Sequence, residues 1–445
     1  MKKLVSLLVI SLLLFSLCVA CTPAEAPEAK EEATKESAES KSAEPVELTI
    51  AIWGNEDRQA TFEELFTAFE EQNNCSVTVN LVAYADYATK LATQLAAGNA
   101  PDVVWLADGM EAQFMQSGNL LDIASYVVDD ADYAFEDLYP SAMAAISDGD
   151  AVYGIPFSFG PRVIYCNNTL FKEAGVKTPA EYVAEGNWTY ETMYDLASQM
   201  TDLDNGKYGL KLWDTSSVSN YVYAFYDLIL AYGADYFNTD TSKFTLNTPE
   251  GIAAIQAIHD LIYKDESHLK PGDATEFTAG TIAMARSTFS YAKTIKGADL
   301  DFEWEMVSEP KGPDADASVI TGFAYYSANA DSDNPELAAE MIKFMTNAEM
   351  MTSVVGTFVA PRGSVLNSTE FLQQADGIPT EENILEAFVG VIEERGLRSY
   401  PAHKNFSLVQ DQVTMDFDNW FAGIYKSAEE TVAAMETNVN ALLAE

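Results

Sequence analysis

Alternating apolar positions open the folded part of the chain. Val46, Leu48, Ile50 and Ile52 share one face, which predicts a strand ending near Trp53. Thr61-Phe-Glu-Glu64 has the form of a capping box and predicts a helix start, with Phe62, Leu65, Phe66 and Phe69 along one helical face. Val77, Val79 and Leu81 predict a second strand. Tyr87, Leu91 and Leu95 predict a second helix, capped by Asp86 and stopped by Gly98. "PDVVWLADG" predicts a third, mostly buried strand. The order β-α-β-α-β predicts a parallel sheet with right-handed crossovers.

Open parallel sheets place ligands outside the carboxyl ends of their strands. Those ends carry Trp53-Gly54-Asn55, Tyr84-Ala85-Asp86 and Asp108-Gly109. An indole, a phenol, an amide and a carboxylate converge on one edge. That mix suits a hydroxyl-rich ligand, with aromatic faces for its C–H surfaces and Asn or Asp for its hydroxyls. Trp53, Asn55, Tyr84 and Asp108 are therefore candidate ligand contacts, and core packing is the competing role for Trp53.

The start of the chain has a different pattern. Lys2 and Lys3 precede an apolar run from Leu4 to Leu17, about the length of a signal-peptide core and shorter than the roughly 20 apolar residues that span a bilayer. Residues 1–20 read as a signal peptide. Val19-Ala20-Cys21 resembles the end of a bacterial lipobox, with Cys18 where that motif usually has Leu, so Cys21 is the expected lipidation site. Thr22 to Pro45 contains only Glu, Lys, Ala, Ser, Thr and Pro, which cannot bury enough surface to offset chain entropy. Residues 21–45 are expected to be a lipidated cysteine followed by a disordered tether, reaching roughly 25–30 Å.

The remaining stretch of roughly 400 residues suits one large two-domain body or two to three small domains. The whole chain is 48% hydrophobic, enough for large cores, and carries a formal net charge of −44. That charge excludes a nucleic-acid binder, which needs a basic face, and keeps the molecule soluble. Once a signal is removed, Cys75 and Cys166 are the cysteines left besides Cys21. They read as free buried thiols or as one disulfide, and no disulfide framework is evident. His259, His268 and His403 are scattered, and neither a metal nor a cofactor is expected.

Longer segments, taken in order, resemble one family. "YADYATKLATQLAAGNAPDVVWLADG", "YGIPFSFGPRVIYCNNTLFKEAGV", "NWTYETMYDLASQMT", "FTAGTIAMARSTFSY", "TGFAYYSANADSDNPELAAEMIKFMTNAEM", "VAPRGSV" and "FAGIYKSAEETVAAMETNVNALL" stand in register with the extracellular solute-binding proteins, family 1, of ABC importers, the maltose-binding type. The resemblance runs from about Val46 to Glu445. It implies an α/β, two-lobed periplasmic-binding-protein-like fold of type II, with the ligand cleft between lobes and two to three hinge segments. One lobe would comprise 46–158 plus 311–354, the other 159–310 plus 355–445. Hinges would lie near Phe157–Gly160, Ser308–Gly312 and Thr352–Val359.

The same resemblance points to further cleft residues: Phe159, Arg162, Trp188, Trp213, Tyr221, Arg286 and Phe289 on the second lobe, Gly322 and Phe323 on the first, and Arg362 after the last crossover. Core packing competes for the aromatics. Of the six arginines in the chain, Arg162, Arg286 and Arg362 fall near inter-lobe segments, where they would grip ligand hydroxyls or a carboxylate or pair with surface acids.

The expected function is capture of a sugar or oligosaccharide by a monomeric lipoprotein on the extracellular face of the membrane. Hinge closure around the ligand would precede delivery to ABC permease subunits. The alternatives are the same scaffold with a small anionic or cationic solute, and a surface glycan-binding protein without transport. A hydrolase reading rests on Ser290-Tyr-Ala-Lys293 and Ser332-Asp333-Asn334. It lacks the Lys-Thr-Gly that completes that motif set, so no enzyme is expected. Asp202-Leu-Asp-Asn-Gly206 is one residue short of an EF-hand spacing and reads as a turn.

Overall fold

A computed structural model describes residues 45–216, 220–314, 317–373, 379–401, 403 and 405–444. The expected signal peptide, Cys21 and nearly all of the tether lie outside the described residues. The body from Pro45 onward holds two principal sheets.

The first sheet takes β1 (Val46–Trp53), β2 (Cys75–Val82), β3 (Val103–Leu106), β4 (Ile155–Phe159) and, from much later in the chain, β10 (Phe323–Ala328), in the order β2-β1-β3-β10-β4. β1 pairs in parallel with β2 and β3, as its β-α-β pattern predicts. β10 enters antiparallel to both β3 and β4, so the sheet is mixed. Helix α1 runs Glu56–Asn73, and α2 runs Tyr84–Ala96. The phenol of Tyr87 in α2 donates to the Ala51 carbonyl at 3.0 Å and accepts the Trp105 amide at 3.0 Å, locking helix to sheet.

Two local expectations are corrected. α1 starts five residues before Thr61: Asn55 is its N-cap, its side chain accepting the Arg58 amide at 3.1 Å, and Thr61 lies inside the helix. The first turn, carrying Glu56 and Asp57, has no apolar residue to advertise it, so the hydrophobic period begins late. Asp86 likewise sits in the first turn of α2, whose N-cap is Ala83 with no side-chain cap bond.

The second sheet takes β5 (Arg162–Asn167), β6 (Tyr208–Lys211), β7 (Ile282–Thr288) and β8 (Trp304–Val307) in the order β8-β5-β7-β6. Only Gly160 and Pro161 separate β4 of one sheet from β5 of the other. A small third ladder joins β9 (Val319–Thr321) in parallel to β11 (Leu397–Ser399), pairing two stretches far apart in the sequence.

The buried apolar residues form two cores. β5 shows how they divide: Val163 and Tyr165 face one, Ile164 and Cys166 the other, as the strand's period of two requires. The second core also includes helices α4 (Tyr221–Ala231), α6 (Phe406–Phe421) and α7 (Ala428–Leu443), while α5 (Pro335–Thr346) packs in the first. Cys75 and Cys166 are buried free thiols. Among the described residues no helix is long and apolar enough to cross a membrane.

Candidate functional site

The loop after β3 carries Asp108 and Gly109 into α3 (Met110–Gln116). Asp108 accepts the Phe323 amide at 2.7 Å, which ties the end of β3 to the start of β10. A Cβ on Gly322 would overlap the Asp108 carboxyl, so a glycine is required there by close approach. Part of Asp108 is open, but protein surrounds the carboxyl. That desolvation pushes its pKa up to about 7, against the pull of the Phe323 amide and the Arg162 charge. Glu111, in the first turn of α3, is only 4% exposed. Burial, reinforced by the neighbouring Asp108 charge, pushes its carboxyl up to about 8.

From the second sheet's side, the charge of Arg162 at the start of β5 reaches Asp108. Its guanidinium donates to Tyr400 Oη at 2.8 Å and to Asp227 at 3.3 Å. Tyr223, in α4, has its phenol beside Asp108, Gln410, Tyr400 and Glu111, and burial holds its pKa well above the ordinary value. The two sides also meet at Gly109, whose Cβ position lies 3.4 Å from the Phe406 ring. The site therefore gathers two acids from the first sheet's side with an arginine, two phenols and an amide from the other. Tyr84, 64% exposed, stands at its edge within electrostatic reach of Asp108. Trp53 backs it, edge to face with Tyr84 (5.7 Å), Tyr87 (5.1 Å) and Trp105 (4.9 Å).

The other arginines are placed elsewhere. Arg286 is buried, bonded to Glu309, to Asp227 and to the Ala224 carbonyl. Burial opposes its charge, but the Glu309 and Asp227 carboxylates outweigh that and hold its pKa above the ordinary value. Arg362 is 0% exposed. It donates to the Thr346 and Ala134 carbonyls and to Asp137, and lies over the Tyr133 ring at 4.7 Å. Of the three arginines near inter-lobe segments, Arg286 and Arg362 thus pair with acids inside the protein, and Arg162 is the one whose charge reaches Asp108.

The late aromatics pack rather than converge. Phe159 stacks on Phe323 at 6.0 Å and touches Phe388, which also meets Phe289, so the four rings sit in one aromatic layer. Trp213 stacks on His268 at 4.0 Å. That imidazole accepts the Leu212 amide, and burial pushes its pKa down to about 3. Tyr221 stacks on Phe225 and reaches Asp418, inside the packing of α4 and α6. Trp188 donates its indole N–H to Ser308, pinning the start of a crossing segment.

The residues missed from sequence are Glu111, Tyr223, Tyr400 and Gln410. Glu111, Tyr223 and Gln410 lie on helices and Tyr400 just after β11, with no motif around them. Their only advance signal was position: Glu111 stands three residues past Asp108. The serine motifs have other partners. Ser332 donates to Asp102 at 2.6 Å, and the Lys293 ammonium donates to the Gly356 carbonyl. Asp202 caps a single 3₁₀ turn closed by Gly206.

Two α/β sheets joined by short crossings, with polar residues of both meeting in one place, define a two-lobed binding protein. The family model for bacterial extracellular solute-binding proteins matches residues 53–352, and the chain belongs to that family. It is 26% identical to a putative binding protein of Brucella abortus, over 57% of this chain and 60% of that protein; the match thus spans well under two thirds of that relative's length. It is 25% identical to an erythritol/L-threitol-binding protein of Mycolicibacterium smegmatis, over 79% of this chain and 77% of the relative. In fold it is similar to an ABC substrate-binding protein of Listeria monocytogenes solved with cycloalternan. The TM-score is 0.74 at 24% identity, covering 90% of this chain and 99% of that one.

Proposed function

We propose that this chain captures a carbohydrate outside the cell and hands it to an ABC permease. Capture works by closure of the two lobes: Asp108 and Glu111 come from one, Arg162, Tyr223, Tyr400 and Gln410 from the other, and the ligand favours the closed form by engaging both. The observation that carries this reading is the meeting of those side chains at the carboxyl end of β3, where a sheet of this kind holds its ligand. A polyhydroxyl ligand matches their chemistry, and the relatives' named ligands, erythritol and cycloalternan, are of that class. The lobes are 46–158 plus 311–354 and 159–310 plus 355–445. The chain acts as a monomer without catalysis, and lipidated Cys21 holds it at the extracellular face of the membrane.

A thermal-shift screen tests the reading, because a ligand that binds only the native state raises apparent stability by mass action. Erythritol, D-glucose, maltose and a cyclic tetrasaccharide are compared with amino acids and inorganic anions. A rise of several degrees with one sugar, absent for amino acids and anions, is expected. A rise with an amino acid or an anion alone would overturn the carbohydrate assignment.

A further inference from the structure

Two polar groups at this site are poorly satisfied: Glu111 Oε2 is buried without a hydrogen-bond partner, and Gln410 Nε2 has only the Tyr223 phenol near it, outside good hydrogen-bond geometry. They come from opposite sides of the site, and both side chains lie near the Tyr223 phenol. A buried polar atom without a partner costs free energy, and a carboxyl oxygen costs more than most. Among the described residues no cation stands by Glu111 to offset it. Arg162 is shared between Asp227 and Tyr400, and Arg286 is taken up by Asp227 and Glu309. Those two arginines and two acids balance one another, which leaves Glu111 without a cation of its own and Asp108 only within reach of the Arg162 charge. An acidic ligand would bring its charge against two acids with no free cation among the described residues to meet it. A ligand that donates a hydrogen bond relieves the Glu111 oxygen directly, and an oxygen on the same ligand can accept from Gln410.

Resting on the carbohydrate reading above, we infer that Glu111 is the specificity-determining residue of this site, accepting a hydrogen bond from a sugar-ring donor and excluding acidic sugars. The donor chemistry is shared by a hydroxyl and a protonated amine. Gln410 acts opposite it as donor to a ligand oxygen. The raised proton affinity of both acids agrees with this arrangement, since burial outweighs the backbone amides that each accepts from.

Isothermal titration of the whole chain with erythritol, D-glucose, maltose, D-glucosamine and D-glucuronate tests it. Wild type is expected to bind a neutral or amino sugar at least tenfold more tightly than D-glucuronate. Glu111→Gln, which keeps the shape of the side chain, should weaken the preferred sugar at least tenfold and narrow the gap to D-glucuronate at least threefold. A tenfold loss confined to D-glucosamine identifies the donor as an amine; the same loss for a neutral sugar identifies a hydroxyl. Gln410→Ala, on the other side, should weaken the same sugar and leave the discrimination against D-glucuronate in place, which keeps the test open if the first variant folds poorly. Unchanged affinity in Glu111→Gln, with a sugar still bound by wild type, sinks this inference alone. Tight D-glucuronate binding by wild type also sinks it. A wild-type chain that binds no sugar of the panel overturns the carbohydrate reading and this inference with it.

Discussion

Single side chains show how much of a residue's role depends on what surrounds it. Arg286 and Arg162 stand two residues apart in register across β5 and β7, yet one is sealed in an ion-pair cluster and the other faces the site. Removing Arg286 strands Asp227 and Glu309 as buried acids. Arg286→Ala should therefore cost about 3–5 kcal/mol of stability, seen as a lower urea midpoint. A variant that unfolds like wild type would mean that the cluster is not buried in solution. Glu111 gives the opposite case. Its folded pKa is raised to about 8, whereas in the unfolded chain it ionises near the ordinary carboxylate value. Between those limits the folded state holds a proton that the unfolded state has released, so stability falls as pH rises through that window. Glu111→Gln removes the cost. At pH 8.5 the ligand-free variant should be more stable than wild type by roughly 2–4 kcal/mol, an advantage that shrinks to near zero at pH 5. Thermal melts at the two pH values check this.

At the scale of elements, hydrophobic period located strands and helices well but not their ends. β1 was legible to the residue, because four alternating apolar positions have only one strand reading. The beginning of α1 was not, because its first turn is polar and exposed and the true cap, Asn55, had been assigned to the ligand instead. Asn55→Ala should cost about 0.5–2 kcal/mol by freeing the Arg58 amide. Thr61→Ala, in an exposed helix interior, should change stability by no more than about 0.5 kcal/mol. Equal losses for the two in chemical denaturation would return the helix start to Thr61. The short β9–β11 ladder had no signal in sequence. Each partner is three residues long, and the pairing joins positions separated by α5 and the rest of a long stretch that packs in the first core.

For the whole molecule, charge is the dominant sequence-level quantity. A formal net charge of −44 over 445 residues makes the folded chain repel itself. Raising sodium chloride from about 10 mM, where the Debye length is about 30 Å, to 0.15 M, where it is about 8 Å, screens that repulsion and should raise the melting temperature. A melting temperature that stays level or falls over that range would mean that self-repulsion is not limiting. The same acidity bears on the site. With Arg286 and Arg362 enclosed, Arg162 is the one candidate arginine whose charge reaches Asp108.

Local pattern was enough for the class of fold, because strand and helix periods are properties of neighbouring residues and the family's segments follow one another in a fixed order. It also placed Asp108 at a strand's carboxyl end, where any parallel α/β sheet exposes its loop. Asp108 proved to do two jobs, holding the Phe323 amide and facing the acids and phenols of the site. The remainder of the site was decided by tertiary structure alone. Whether an aromatic such as Phe159 lines a cleft or fills a core, and whether an arginine meets a ligand or an internal carboxylate, depends on which distant segments pack against it. Glu111, Tyr223, Tyr400 and Gln410 come together only because the two sheets approach one another across crossings as short as Gly160-Pro161, and sequence spacing carries no record of that approach.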